Sequence, residues 1–200
     1  MVCGANQAEN QDWIGKNIAE IAKAGKKEPL ETVFELLISE AGDLGAIYFA
    51  MEEADLIQAL KHPQSCFGTD AEARRPDGIL GKGCPHPRTY GTFPRVLARY
   101  VREKGILTLP QAINKMTFQA AQRLGLAKRG KIAPGYWADL VLFDPAEIKD
   151  KAEYANPHQF PVGITAVVVN GQPTVWKGEL TGKRAGKFLS RKPSLDFKGD

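Results

Sequence analysis

Histidine and cysteine are both scarce in this chain, with three of each among 200 residues, and their spacing removes several classes of protein at once. Cys3, Cys66 and Cys84 are odd in number and show no zinc-finger spacing, which excludes a disulfide framework and a structural zinc site and fits a reducing compartment. His62, His86 and His158 never fall two to a strand or to a helical face, so no tetrahedral metal set can be read from them. No apolar run approaches the roughly 20 residues of a membrane span, and no charged-then-apolar leader opens the chain. The cytoplasm is therefore the expected location, without membrane contact. Aromatic interleaving and recognition motifs are also missing from the basic C-terminal cluster of Lys183, Arg184, Lys187, Arg191 and Lys192, so that cluster reads as a solvated tail rather than a nucleic-acid site. The net charge is only +4.

What is present is a globular composition, 43% hydrophobic and 25% charged, with α/β patterning. Leu30, Val33, Phe34 and Leu37 recur at helical spacing over residues 29–41, between Pro29 at the first turn and Gly42 at the stop. Residues 44–50 read as a strand and 52–61 as a helix; residues 65–69 read as a second strand. A Gly/Pro-rich loop to Gly91 then leads to an amphipathic helix over 93–101. Two strand-helix units in succession predict a parallel α/β arrangement. A helix over 109–124 is signalled by Thr108 and Gln111 at capping-box spacing and by Gly125. The last third reads as β, with strands at 139–143, 164–169 and 174–176 and a tight turn at Asn170-Gly171.

Asp70 ends the apolar run Phe67-Gly68-Thr69 and opens onto the glycine-rich loop. Catalytic groups of α/β barrels sit where strands hand over to loops, but an Asp in that position also starts turns by bonding its own backbone. Pattern alone leaves both readings open.

The run Gly68-Thr69-Asp70, followed by Pro85-His86-Pro87-Arg88-Thr89-Tyr90-Gly91-Thr92-Phe93-Pro94-Arg95-Val96-Leu97, resembles the end of the barrel in the N-acyl-D-amino-acid deacylases. Arg129-Gly130-Lys131-Ile132-Ala133-Pro134-Gly135 and Ala138-Asp139-Leu140-Val141-Leu142-Phe143-Asp144 resemble the closing segment of the wider amidohydrolase superfamily, and Asn156-Pro157-His158-Gln159-Phe160-Pro161 is again similar to the deacylase branch. The resemblance implies the C-terminal part of a metal-dependent-hydrolase (β/α)8 TIM barrel over residues 1–127 and part of a small β-domain over 128–182, while composition reads residues 183–200 as a basic tail. It implies hydrolysis of N-acyl-D-amino acids to a carboxylate and a free D-amino acid, with zinc as cofactor. Asp70 matches the position of the general base and acid.

Arg88 is a candidate for pairing with the substrate's α-carboxylate, and Met51 for lining the side-chain pocket. His86 is a candidate metal ligand, set against a structural role in its Pro-rich loop; His62 reads as a helix end and His158 as a support of the β-domain. The early His-x-His pair and the other ligands that the family uses are not among these residues, and only the last strand-helix units of eight can be counted. The chain is therefore expected to be a fragment or one piece of a split enzyme, inactive alone, whose uncovered apolar faces predict a partner chain or self-association. Other readings remain: an amidohydrolase of cyclic amides, of the dihydroorotase or hydantoinase type, or a non-catalytic subunit or scaffold.

Overall fold

A computed structural model describes residues 1–190. In chain order the elements are β1 (Val2–Gly4), a 3-10 turn (Ala8–Trp13), α1 (Ile18–Gly25), α2 (Pro29–Ser39), β2 (Gly45–Ala46), α3 (Glu53–Lys61), a second 3-10 turn (Gly78–Gly81) and α4 (Arg88–Arg95). A π-helical run (Val96–Glu103) follows, then α5 (Leu109–Met116), α6 (Phe118–Arg123), β3 (Leu140–Phe143), β4 (Ile164–Val169), β5 (Gln172–Trp176) and β6 (Glu179–Leu180). The described residues form two compact units, one of residues 1–52, 69–92 and 150–161, the other of 53–68, 93–149 and the stretch from 162 onward.

In the first unit β1 pairs antiparallel with β2, Val2 facing Ala46 and Gly4 facing Gly45. The approach is close enough that a Cβ on Gly45 would lie 2.9 Å from the Gly4 nitrogen, so only glycine fits. Helix α1 starts at a complete capping box, in which Asn17 accepts from the Glu20 N–H and Glu20 accepts from the Asn17 N–H. Val2, Ile21 and Leu36 form the core, with Trp13, Ile14, Ile18 and Leu44 around them. The carboxylate of buried Glu40 accepts from the Asn6 N–H at 2.6 Å, the Gln7 N–H at 3.1 Å and the Asn10 amide at 2.7 Å. These donors, the Asn10 amide foremost, hold its pKa below the usual carboxylate value. Helix α2 begins at Pro29 as expected and stops at Ser39, two residues early, because Ala41 and Gly42 turn to positive φ. Of its apolar residues only Leu36 is buried; Leu30, Phe34, Leu37 and Ile38 stay exposed, so the stripe that marks the helix in the sequence is left without cover in this unit.

The second unit packs Leu60, Val96, Leu97, Tyr100, Leu107, Ala112 and Ile148 into one core. Glu53, at the start of α3, takes Arg99 at 2.8 Å and Lys104 at 2.6 Å, and these cations hold its pKa down at about 2. Pro94 lacks the N–H that a helix interior needs, and after it the run Val96–Glu103 takes the wider π spacing. The capping box at Thr108 and Gln111 is formed.

The single helix expected over 109–124 is broken at Thr117, with φ −125° and ψ −86°. There the Thr117 hydroxyl bonds back to the Ile113 carbonyl at 2.7 Å, and the Gly130 backbone lies so close that an added Cβ would meet the Thr117 carbonyl carbon at 2.8 Å. Strands β3-β4-β5-β6 form an antiparallel sheet in sequence order. Asn170 and Gly171, at φ +48° and +79°, make the expected tight turn. Arg129 braces it, bonding Asp139 and, at 2.6 Å, the Asn170 side chain, while Asp139 accepts the Asn170 N–H at 2.8 Å.

Two expected strands need correction. Residues 44–50 contribute only the two-residue β2, and residues 65–69 form none. The second stretch is held by side chains instead: buried Lys115 donates to the His62 carbonyl and to the Ser65 carbonyl and hydroxyl, and Gln119 donates to the Pro63 carbonyl at 2.8 Å. Both sheets among the described residues are antiparallel, so the parallel pairing read from the strand-helix alternation is not what forms. Of the expected tail, residues 191–200, with Arg191 and Lys192, lie outside the described residues.

Candidate functional site

Asp70 lies on an irregular loop in the first unit, not at the mouth of a strand, and takes a left-handed backbone with φ +46°. Non-glycine residues rarely adopt that conformation, and Asp is among the few that tolerate it. Its side chain is 87% exposed and pairs with the Arg88 guanidinium at 2.8 Å, Arg88 itself being 45% exposed. Of the residues singled out in the sequence, the structure thus joins Asp70 and Arg88 directly.

Arg88 is the first residue of α4, where Pro85 and Pro87 stiffen the approach and the helix fixes the backbone. Its N–H donates to Nδ1 of His86 at 3.0 Å, and its carbonyl accepts from the Thr92 hydroxyl at 2.8 Å. His86 also meets the Tyr154 hydroxyl through Nε2 at 3.3 Å, with the two rings edge to face. Both imidazole nitrogens are thereby engaged in holding the loop. Among the described residues no group of three or more His, Cys, Asp or Glu side chains is placed to hold a metal ion. The donors present do not fit a zinc site. Met51 is exposed, on the open stretch that also carries exposed Tyr48 and Phe49.

His158, expected to support the β-domain, belongs to the first unit. It bridges the Tyr90 hydroxyl at 3.0 Å and the Gly83 carbonyl at 2.9 Å. Since a carbonyl only accepts, Nε2 carries a proton and donates it to Gly83. Cys84 donates its S–H to the Tyr154 carbonyl at 2.9 Å, and Phe49 packs edge-on to the Tyr154 ring at 4.8 Å. Gly91 lets residue 150 come close, since a Cβ there would lie 2.9 Å from that of Asp150. Residues 150–161 therefore form a clasp on the loop that presents Arg88. Tyr154 carries no local signal of its own; Tyr90 and His158 lie in the two runs that resemble the deacylases, and Cys84 stands directly before the first of them. His62 does follow directly on α3, as read, with its N–H donating to the Gln58 carbonyl.

Among the described residues no helix is long and apolar enough to cross a membrane. The family model described as "Amidohydrolase family" matches residues 3–175. A D-aminoacylase of Alcaligenes xylosoxydans xylosoxydans is 40% identical over 177 residues, which is 88% of this chain and 34% of that protein. A solved D-aminoacylase, described by its binuclear metal centre, superposes with a TM-score of 0.81 at 37% identity, covering 96% of this chain and 37% of its own. The N-acyl-D-glutamate deacylase of Bordetella bronchiseptica, solved with zinc and a phosphonate mimic of the tetrahedral intermediate, gives a TM-score of 0.74 at 36% identity, over 86% of this chain and 34% of its own. The chain spans about a third of the length of these relatives. On these matches, the chain belongs to the amidohydrolase family, and its likeness within it is to the N-acyl-D-amino-acid deacylases.

Proposed function

We propose that these residues serve a zinc-dependent hydrolase that splits N-acyl-D-amino acids into a carboxylate and a free D-amino acid. The observation that carries the reading is the 2.8 Å pair between Asp70 and Arg88, a carboxylate and a guanidinium brought together from the two segments of the run that resembles the deacylases. Asp70 is the proton shuttle: it takes a proton from the attacking water and returns it to the departing nitrogen. Arg88 takes the α-carboxylate of the substrate in the two-point grip a guanidinium offers. In the state described here that grip is filled by Asp70. A substrate carboxylate seated on Arg88 replaces Asp70 there and leaves it free to accept a proton.

Since the described His, Cys, Asp and Glu side chains do not gather into a set of three or more, the zinc would take its ligands chiefly from other parts of the protein. Residues 1–127 would contribute the closing units of a (β/α)8 barrel and residues 128–182 part of a small β-domain, with Met51 toward the substrate's side chain. The exposed apolar stripe of α2 fits contact with the rest of such a barrel, supplied by a further stretch of chain or by a partner. The three free cysteines support a cytoplasmic setting.

The test is release of free amine from N-acyl-D-amino acids and their L enantiomers, and ring opening of dihydropyrimidines to ureido acids followed by chromatography, by the protein that carries these residues, supplied with zinc. The reading expects turnover of the D substrates alone. D70N should lower kcat by about a thousandfold while leaving zinc content unchanged; R88K should act chiefly on KM. Undiminished kcat in D70N, or turnover of dihydropyrimidines alone, would overturn it.

A further inference from the structure

Neither Cys3 nor Cys84 has a part in the chemistry proposed for Asp70 and Arg88, yet the fold of the first unit lays one against the other. Cys3 is the middle residue of β1, and the Cys84 N–H donates to its carbonyl at 2.7 Å. Gly83 makes this approach practicable: its φ is +77°, and a Cβ there would press to 3.1 Å from the same Cys3 carbonyl. That backbone contact sets the two residues side by side, the placement a disulfide needs, since its α-carbons lie about 4.4 to 6.8 Å apart. Both thiols are free, Cys84 buried and Cys3 partly exposed. Burial raises the pKa of each, and the charge of Cys3 raises that of Cys84 further.

We propose that Cys3 and Cys84 form a dithiol modification site, converted to an intrachain disulfide by a low-molecular-weight disulfide such as glutathione disulfide. Partly exposed Cys3 is the entry point. Its thiolate attacks one sulfur of glutathione disulfide, forming a Cys3-glutathione bond and releasing one glutathione thiolate. Cys84, deprotonated in turn, attacks the Cys3 sulfur; the Cys3–Cys84 bond forms and the second glutathione leaves. Two cysteine thiols are oxidised, one glutathione disulfide is reduced to two glutathiones, and the two thiol protons end on them. The buried thiol needs no access to solvent because its attack is intramolecular. Closure removes the S–H that Cys84 gives to the Tyr154 carbonyl and anchors the loop four residues before Arg88 to β1. None of this depends on the hydrolase reading.

The experiment incubates the purified chain in glutathione buffers of graded redox ratio, quenches with an alkylating agent, and follows intact mass and peptide maps. Wild type should lose two hydrogens, with one cross-link joining the Cys3 and Cys84 peptides and Cys66 alkylated. C66S should behave the same, C84S should stop as a mixed disulfide on Cys3, and the rate should climb with pH through the raised thiol range. The oxidised wild type should melt roughly 5 to 10 °C higher, because a long loop is closed. Wild type that carries only free or glutathione-capped Cys3 and Cys84 at every ratio, or that cross-links through Cys66 as readily, would refute the site without any variant needing to fold.

Discussion

The sheet of β3 to β6 and the loop that presents Arg88 reach order by opposite routes. In the sheet, neighbouring strands are adjacent in the chain and their backbones do most of the work, with Arg129 and Asp139 bracing the turn and a few hydroxyls such as Thr174 bonding across strands. In the Arg88 loop almost nothing is backbone ladder: His86, Tyr90, Tyr154, His158 and Cys84 hold it by side chains that come from two distant stretches of sequence. A ladder tolerates the loss of any one side chain. A clasp built from single side-chain contacts can be loosened one contact at a time, which would suit the exchange of carboxylate partners proposed for Arg88.

The sharpest way to separate the two routes is to alter Asp70, which belongs to neither. D70N should lower kcat by about a thousandfold, about 4 kcal/mol, with urea midpoint and Tm within error of wild type, because the side chain is exposed. A matching loss of stability would show that Asp70 is part of the scaffold. Next in size, G163A should destabilise the second unit by at least about 3 kcal/mol in urea titration, since Gly163 has φ +82° and a Cβ there would lie 2.5 Å from the Ile148 α-carbon. Unchanged stability would mean that the chain relaxes there, against the account of a tightly built unit.

Acid offers a graded version. Glu53 has its folded pKa lowered to about 2 from an ordinary 4.5, so its contribution is complete above about 4.5 and disappears as pH falls through about 2. Wild type should lose Tm over that window, and E53Q should start lower at neutral pH and fall less steeply. Parallel curves would remove Glu53 from the argument. The smallest effect is expected from Y154F, which keeps the ring against Phe49 and removes the hydroxyl at His86. About 0.5 to 1 kcal/mol of stability should go, while KM, read through Arg88, should rise. An effect on kcat alone would place Tyr154 in the chemistry rather than in the clasp.

What could be read from the sequence follows the same division. The Asn170-Gly171 hairpin, the Thr108 cap and the Pro29 start rest on rules that act within a few residues, and each is where the pattern put it. The Asn17-Ile18-Ala19-Glu20 box obeys those rules equally and was passed over, as was α1 behind it. The break at Thr117, the failure of residues 65–69 to form a strand and the left-handed setting of Asp70 were hidden for a physical reason. Each depends on a group far along the chain: Gly130 against Thr117, Lys115 on the 62–65 carbonyls, Arg88 on Asp70. The pairing of Asp70 with Arg88 was approached only through the resemblance of the run that contains them, since nothing in the loop's composition sets its path.

The Glu40 carboxylate carries a consequence for how the chain assembles. The amides of Asn6 and Gln7 and the side chain of Asn10 find their acceptor at the end of α2, not in any ladder of their own. A synthetic peptide ending before α2 would leave those donors to water, so seating of residues 6–10 is conditional on a helix made later in synthesis. Translation order and docking order then run in opposite directions for this stretch.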